Sequence, residues 1–315
     1  TGDRIGRASK AAANGLLGQV YLTMAKTIDD GQSTAHLQDA KTYLEACYNM
    51  RKFGQLREIP YTDVFSVDKK SSCPELIMQI VYKQGDATYS SSIAANNQAA
   101  GETINSQKEA TGVGGNVTAD LIDDYESGDP RMDFSVKYAN ASNVKDYFIT
   151  KFRDASDAAG PNGYGGNDWI LMRYADIYLM KAEALIESGS TDQEIYTLID
   201  KVRARVNMPN VESVEGTGLN QSQLRSIVRH ERRVEFYNEG TRYADMLRWK
   251  DESLVHDVYG YDKALLSNPA SPATWTFKQI KVETRTFNAS KGWLWPIPQA
   301  DIDINKNLLP NNPGY

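Results

Sequence analysis

The sequence predicts an all-α fold, an array of stacked helical hairpins of tetratricopeptide-like length that carries long decorating loops. Three observations lead there. Apolar residues recur at steps of three and four in six segments, and these fall into three neighbouring pairs of roughly tetratricopeptide size. No alternation of short apolar strands with helices, the mark of a parallel sheet, runs along the chain. Between and inside the pairs lie Gly-rich polar stretches without apolar period, which read as loop.

The first helix is expected over Ser9 to Lys26, with Ser9 as N-cap and Ala12, Leu16, Gln19, Val20 and Met24 on related faces. Gly15 and Gly18 each cost about 1 kcal/mol relative to Ala inside a helix, which another helix approaching closely would offset. After the turn Asp29-Asp30-Gly31, a second helix from about Thr34 to Lys52 sets Leu37, Ala40, Leu44 and Cys47 on one stripe. The second pair begins with a helix over Trp169 to Ser188, capped by Asp168, facing inward through Leu171, Tyr174, Tyr178, Ala182 and Leu185 and stopping at Gly189. Its partner carries the stripe Ile195, Leu198, Ile199, Val202 and Val206, and Pro209 ends it. The third pair runs from about Gln221 to Asn238 and from Thr241 to Lys250, with Gly240 at the bend.

Between the first and second pairs, residues 84 to 118 combine Gly85, Gly101, Gly112, Gly114 and Gly115 with Ser, Asn, Gln and Thr. A second Gly-rich stretch, Gly160-Pro161-Asn162-Gly163-Tyr164-Gly165-Gly166-Asn167, leads into Trp169. Loops of such length in a compact domain are uncommon unless they serve binding or are disordered. The chain closes on Trp293-Leu294-Trp295-Pro296-Ile297-Pro298 and ends Asn311-Asn312-Pro313-Gly314-Tyr315, an irregular tail too apolar to float free. The Trp293 and Trp295 pair is expected to plug the helical body rather than to face ligand.

Composition excludes several functions. An apolar fraction of 41% over 315 residues suffices for a full core. With 35 basic against 41 acidic residues and no basic run, the chain offers no field for a phosphate backbone, so nucleic acid is not an expected partner. No stretch approaches the roughly 18 apolar residues of a membrane span, and Thr1 to Lys10 lack a signal-peptide pattern, so the sequence as given reads as soluble. Cys47 and Cys73 read as unpaired. The aromatics, 18 Tyr and 5 Trp against 8 Phe, favour rings with a polar handle, suited to polar ligands and to half-buried packing alike.

Catalytic and metal chemistry find little support. His36, His230 and His256 share no ligand spacing with the cysteines, and His230 opens His-Glu-x-x-Val, which lacks a second metal-binding His. There is no Gly-x-Ser-x-Gly elbow, and Gly112-Val113-Gly114-Gly115 lacks the Lys of a phosphate loop. Glu231 and Glu235 share a helix face, yet Arg229, Arg232 and Arg233 beside them favour ionised carboxylates in an ion-pair network with Arg242, Asp245 and Arg248 over a glycosidase pair. No cofactor is expected. The acidic turns Asp29-Asp30 and Asp123-Asp124 leave a structural Ca²⁺ open as the alternative to solvated turns.

Five segments, in order, resemble the SusD/RagB family. Arg7-Ala8-Ser9-Lys10-Ala11-Ala12 with Leu16 and Tyr21 looks like its first repeat helix, and Asp124-Tyr125-Glu126-Ser127-Gly128-Asp129-Pro130-Arg131 like its Asp-Pro-Arg turn. Arg173-Tyr174-Ala175-Asp176-Ile177-Tyr178-Leu179-Met180-Lys181-Ala182-Glu183-Ala184 resembles its most recognisable helix. Glu231-Arg232-Arg233-Val234-Glu235-Phe236 with Gly240, Arg242, Asp245, Arg248 and Trp249 is similar to its charged helix pair, and Trp295-Pro296-Ile297-Pro298 with Asn312-Pro313-Gly314-Tyr315 to its close. The resemblance implies a non-catalytic, cell-surface binder of oligosaccharides, or in some members peptides. It further implies a protein lipid-anchored on the outer membrane of Bacteroidetes-type bacteria that serves a SusC-like TonB-dependent transporter. Members carry a lipoprotein signal, a lipidated Cys and an N-terminal helical region before this point, so the chain is expected to start part-way along the family pattern.

Sugar binding needs flat aromatic faces with amides and hydroxyls around them on preordered loops. Tyr89, Asn96, Asn97 and Gln98 in the first loop, with Tyr164 and Trp169 at the second, are the candidate ligand residues, and the two loops are expected to form one surface. The competing reading has Tyr89 and Tyr164 anchoring their loops and Trp169 packing at the head of its helix. Tyr147 alternates like a strand residue and is a lesser candidate. One domain over 1–315 is expected, made of a first hairpin and following segment (1–83), a ligand-binding insertion (84–168) and C-terminal helical pairs with the tail (169–315). The alternatives are a peptide-binding helical repeat, or an α-helical glycoside hydrolase.

Overall fold

The computed structural model describes residues 5–28, 30–93, 101–110, 115–141, 144–261 and 279–315. Three helical hairpins form its frame. Helix α1 (Lys10–Thr27) and α2 (Ser33–Tyr48) make the first, with Ser9 Oγ accepting from the Ala12 N–H as N-cap. Between the first and second hairpins come strand β1 (Leu76–Ile80), the small hairpin β2 (Thr103–Asn105) and β3 (Lys108–Glu109), helices α3 (Ala119–Asp124) and α4 (Pro130–Ser135), and the hairpin β4 (Val136–Ala141) and β5 (Val144–Ile149). Strand β6 (Trp169–Arg173) leads into α5 (Tyr174–Glu187) and α6 (Gln193–Arg205), the second hairpin. The short α7 (Val211–Glu215) precedes the third, α8 (Gln221–Glu235) and α9 (Arg242–Trp249). Strands β7 (Val258–Tyr261) and β8 (Gln279–Glu283) pair antiparallel, and α10 (Gln299–Ile304) lies near the end.

The stacking follows burial. Helix α5 packs on α2, α6 and α8, and Leu37, Ala40, Leu44 and Cys47 from α2 join Tyr178, Ala182, Ile195, Leu198, Ile199, Val202, Leu224 and Val228 in one core. A second cluster seats the β4–β5 hairpin, α3 and β7 on α8 through Leu121, Ile122, Tyr147, Val234 and Tyr261. Tyr147 is therefore a core ring, edge-on to Tyr138 at 5.4 Å. Among the described residues no helix is long and apolar enough to cross a membrane. Cys47 and Cys73 are free and buried, as read from the sequence, and burial pushes the Cys47 thiol up to about 12.

Two elements depart from the expected pattern. In α1 the buried face is Ala12, Gly15, Gly18, Leu22 and Ala25, while Leu16 and Val20 are 54% and 43% exposed. The small residues win the inner face because α2 comes so near that a Cβ at Gly18 would lie 2.6 Å from Leu44 Cγ. Trp169 to Arg173 is a strand, paired antiparallel with β1, and the helix begins only at Tyr174. Asp168 does not cap it: its carboxylate accepts from Lys70 Nζ at 2.8 Å, Gln79 Nε2 at 2.8 Å and the Tyr82 N–H at 2.9 Å, which fixes the chain in the extended ladder.

Candidate functional site

The two loops meet through their backbones. Ser91 and Gly165 exchange N–H···O bonds of 2.8 and 3.1 Å, and the Gly85 N–H donates to the Tyr164 carbonyl at 2.9 Å. Asp154 braces the junction, accepting from Gln84 Nε2 (2.7 Å), the Gly166 N–H (2.9 Å) and Ser156 Oγ (2.8 Å). Asn167 Nδ2 donates to the Phe65 carbonyl at 2.7 Å, and Lys70 Nζ to that of Gly166 at 2.8 Å, so the Gly-rich stretch is tied to the body along its length. Gly166 sits where a Cβ would lie 2.8 Å from Val67 Cγ1 and Gln84 Cβ, a close approach that excludes other residues.

Tyr89 stands on this frame. The Asp86 carboxylate accepts from the N–H groups of Thr88 (2.9 Å) and Tyr89 (3.1 Å), and the Lys83 N–H donates to the Tyr89 carbonyl at 2.8 Å. Lys83 pairs with Asp86 as well and, with those backbone bonds, holds its carboxyl below the ordinary value. The backbone is thus fixed while the side chain is 67% exposed, the arrangement of an aromatic platform. Tyr164 is half-buried in the facing loop. Trp169 is half-buried too, stacked on Phe152 at 5.3 Å, with the Gly240 bend against its ring. Asn96, Asn97 and Gln98 lie outside the described residues.

The charged helix pair forms the ion-pair network its residues suggested, and it is buried. Arg232 bonds Asp176 at 2.7 Å and Asp245 at 3.0 Å, and Arg248 bonds Glu183 at 2.7 Å and Asp245 at 2.9 Å. Glu231 meets Arg131 and Arg203, and Glu235 meets Arg131, Arg173 and Arg205. Burial would raise the Glu235 pKa, but the charges of Arg205, Arg173, Arg131 and Lys151 hold it well below the usual range. A carboxylate so held and so enclosed neither donates a proton nor reaches a glycosidic bond. Arg242 stands apart, its guanidinium 5.6 Å over the Trp249 ring. His230 Nε2 donates to the Asp124 carbonyl at 2.7 Å.

Of the acidic turns, Asp30 accepts from His36 at 2.9 Å, Asp123 from Tyr261 at 2.9 Å, and Asp124 pairs with Arg233. The C-terminal pair is not a plug. Trp295 is 71% exposed, and Trp293 is half-buried with its ring against Phe287, 4.8 Å between ring centres. Pro296 and Pro298 supply no backbone donors, and among the described residues the segment joins no ladder; it is pinned by Asn312 Nδ2 on the Trp295 carbonyl (2.6 Å) and Asn311 Oδ1 on the Ile297 N–H (2.8 Å). Sequence reasoning missed Asp154 and Lys70 as braces. The signal available was Asp154 shortly before a Gly-rich stretch that needs anchoring.

Comparison with known proteins fits this architecture. A model of the SusD family matches residues 135–315. A SusD-like protein P2 from Formosa agariphila is 33% identical over 171 residues, which cover 53% of this chain and 30% of that protein, so the matched part spans under a third of the relative's length. A SusD-like carbohydrate binding protein from Bacteroides fragilis superposes with a TM-score of 0.74 at 22% identity, covering 98% of this chain and 66% of the other. A laminarin binding SusD-like protein superposes with a TM-score of 0.66 at 22% identity, covering all of this chain and 64% of the other. These structures share the stacked helical hairpins, and with more than half of its sequence matched by the family model the chain belongs to the SusD family.

Proposed function

We propose that this chain belongs to a cell-surface protein that binds oligosaccharide and passes it, without cleaving it, to a SusC-like TonB-dependent transporter in the outer membrane. The observation that carries the reading is Tyr89, an aromatic ring 67% exposed on a turn whose Thr88 and Tyr89 N–H groups and Tyr89 carbonyl are all hydrogen-bonded. Exposing such a ring forgoes burial worth about 1.5–3 kcal/mol, a loss that a ligand's sugar face recovers. Tyr164, the amides of 96 to 98 and the edge of Trp169 complete the site in this reading, so the insertion over 84–168 serves as the binding region. The carbohydrate-binding and laminarin-binding relatives support the ligand class, and the arginine-locked Glu231 and Glu235 support the absence of catalysis. A lipid anchor and a surface location follow from the family and belong to the same proposal.

Isothermal titration against plant, host and microbial oligosaccharides, with product analysis of the same samples, tests it. Binding without turnover is the expected result. Turnover of any oligosaccharide overturns the non-catalytic reading, and binding of peptides with none of the glycans moves the protein to the peptide-binding alternative.

A further inference from the structure

A second cleft lies between α3, the end of α8 and the start of α9, with a volume of about 400 Å³. That is room for roughly one or two sugar rings. Three arginines line it, and two have carboxylate partners: Arg232 is held by Asp176 and Asp245, and Arg233 by Asp120 and Asp124. Arg242 lines it as well, and among the described residues no carboxylate comes within ion-pair distance of its guanidinium, which rests on the Trp249 ring. Tyr243, another lining residue, is 50% exposed and meets the 71%-exposed Trp295 edge to face, 6.2 Å between centres and 82° between planes. Trp295 Nε1 donates to Tyr243 Oη, and the Asn312 bond to the Trp295 carbonyl fixes the segment that carries the ring.

We propose that this cleft is a second saccharide subsite, selective for an anionic sugar unit bearing a carboxylate or sulfate ester. Arg242 receives the anionic group and the Tyr243–Trp295 pair receives the sugar's C–H face. Neither the guanidinium nor the aromatic pair suffices alone. An exposed aromatic pair alone accepts any flat apolar face, whereas a planar guanidinium left without its own carboxylate presents free N–H donors in the geometry that anionic oxygens match. Burial, and then the neighbouring Arg233, disfavour the Arg242 charge more than the more distant carboxylates of Asp245, Asp124 and Asp120 favour it, so an incoming anion in direct contact relieves a cost already present. The proposal rests on the glycan-binding reading but not on the loop surface, and the two are separable by experiment.

Titration of this chain with tetragalacturonate, its methyl ester and a sulfated galactan tetrasaccharide tests it, alongside Arg242→Gln, Trp295→Ala and Tyr89→Ala. The expected result is at least tenfold tighter binding of one of the acidic ligands than of the neutral ester, weakening with salt, and lost in Arg242→Gln and Trp295→Ala. Tyr89→Ala leaves that binding unchanged and weakens neutral oligosaccharides alone. Trp295 is exposed, so its variant folds even if Arg242→Gln does not. Neutral binding sensitive to Tyr89→Ala, without acidic preference, overturns the subsite and leaves the loop reading standing. Acidic binding untouched in both cleft variants overturns it too, and silence with every saccharide overturns both readings.

Discussion

Arg173 lies at the end of β6 and is wholly enclosed. Its donors reach Glu239 Oε2 at 2.7 Å, Glu75 Oε1 at 2.8 Å, Glu235 Oε1 at 2.6 Å and the Glu235 carbonyl at 3.1 Å. Removing it leaves those carboxylates facing one another in a medium that cannot screen them. Arg173→Ala should therefore cost about 3–5 kcal/mol, and Arg173→Lys should recover little of it because an ammonium does not span three carboxylates. Urea denaturation monitored by circular dichroism measures both; a loss under about 1 kcal/mol for the alanine variant would show that the network is better solvated than its geometry implies. Tyr89→Ala is the opposite case. With its ring in solvent, the change in stability should stay within about 0.5 kcal/mol while oligosaccharide affinity falls, and a large drop in melting temperature would return Tyr89 to a structural role. The sequence disclosed these two residues unequally. Tyr89 stands out as an aromatic in a Gly- and Ser-rich loop, whereas the partners of Arg173 come from Glu75, Glu235 and Glu239, positions that only the folded chain assembles.

At the scale of elements, helices were legible where the apolar period was strong and nothing distant competed. Helix α2 buries the stripe its spacing defines, and α6 buries Ile195, Leu198, Ile199, Val202 and Val206 at its end. Strand β6 was hidden because Trp169 to Arg173 continues the helical pattern of α5, and the extended form is imposed by Asp168 with Lys70, Gln79 and Tyr82. In helix α1 the apolar residues Leu16 and Val20 stand outward against the expected stripe, whereas the close helix approach expected at its glycines is found at Gly18, against Leu44. That packing makes a comparison of two substitutions informative. At Gly18 an added Cβ lies 2.6 Å from Leu44 Cγ and 3.2 Å from the Leu44 backbone nitrogen, so helix α2 itself must move. At Gly15 its nearest neighbour is Met172 Sδ at 2.3 Å, part of a flexible side chain. Each alanine gains about 1 kcal/mol of helix propensity, and overpacking costs about 1–3 kcal/mol. Gly18→Ala should be the more destabilising of the two, with Gly15→Ala near neutral; equal effects in thermal melts would mean that α1 and α2 separate easily.

Across the whole molecule, buried ion pairs join regions far apart in the chain. Glu75 before β1 meets Arg173 and Arg205, and Arg131 of α4 meets Glu231 and Glu235 of α8. The ordered motifs made the family legible; the enclosure of these charges was not, because burial belongs to the assembled hairpins rather than to any segment. Their enclosure governs stability against pH. Burial opposes ionisation of Glu235, Glu239 and Glu183, yet the facing arginines, with Lys151 for the first two, bring each below the ordinary 4.5. A carboxylate depressed in the folded state holds fewer protons than in the unfolded chain, so its stabilisation is complete above pH 4.5 and is lost as pH falls through the folded value. Asp176, raised by burial, works against this. On the alkaline side Lys151, lowered by burial to about 8, adds stability as pH rises from there toward 10.5. Burial pushes the Cys73 thiol up to about 11 and the Tyr147 hydroxyl up to about 12, so these groups withdraw stability above pH 9 and 10 respectively, where the unfolded chain ionises first. Melting temperature should therefore hold down to about pH 4.5 and fall steeply below it, and Glu235→Gln should lower the plateau and flatten that fall. A decline already under way at pH 6, or an acid limb unchanged by Glu235→Gln, would show that the buried arginines do not set the acid limit.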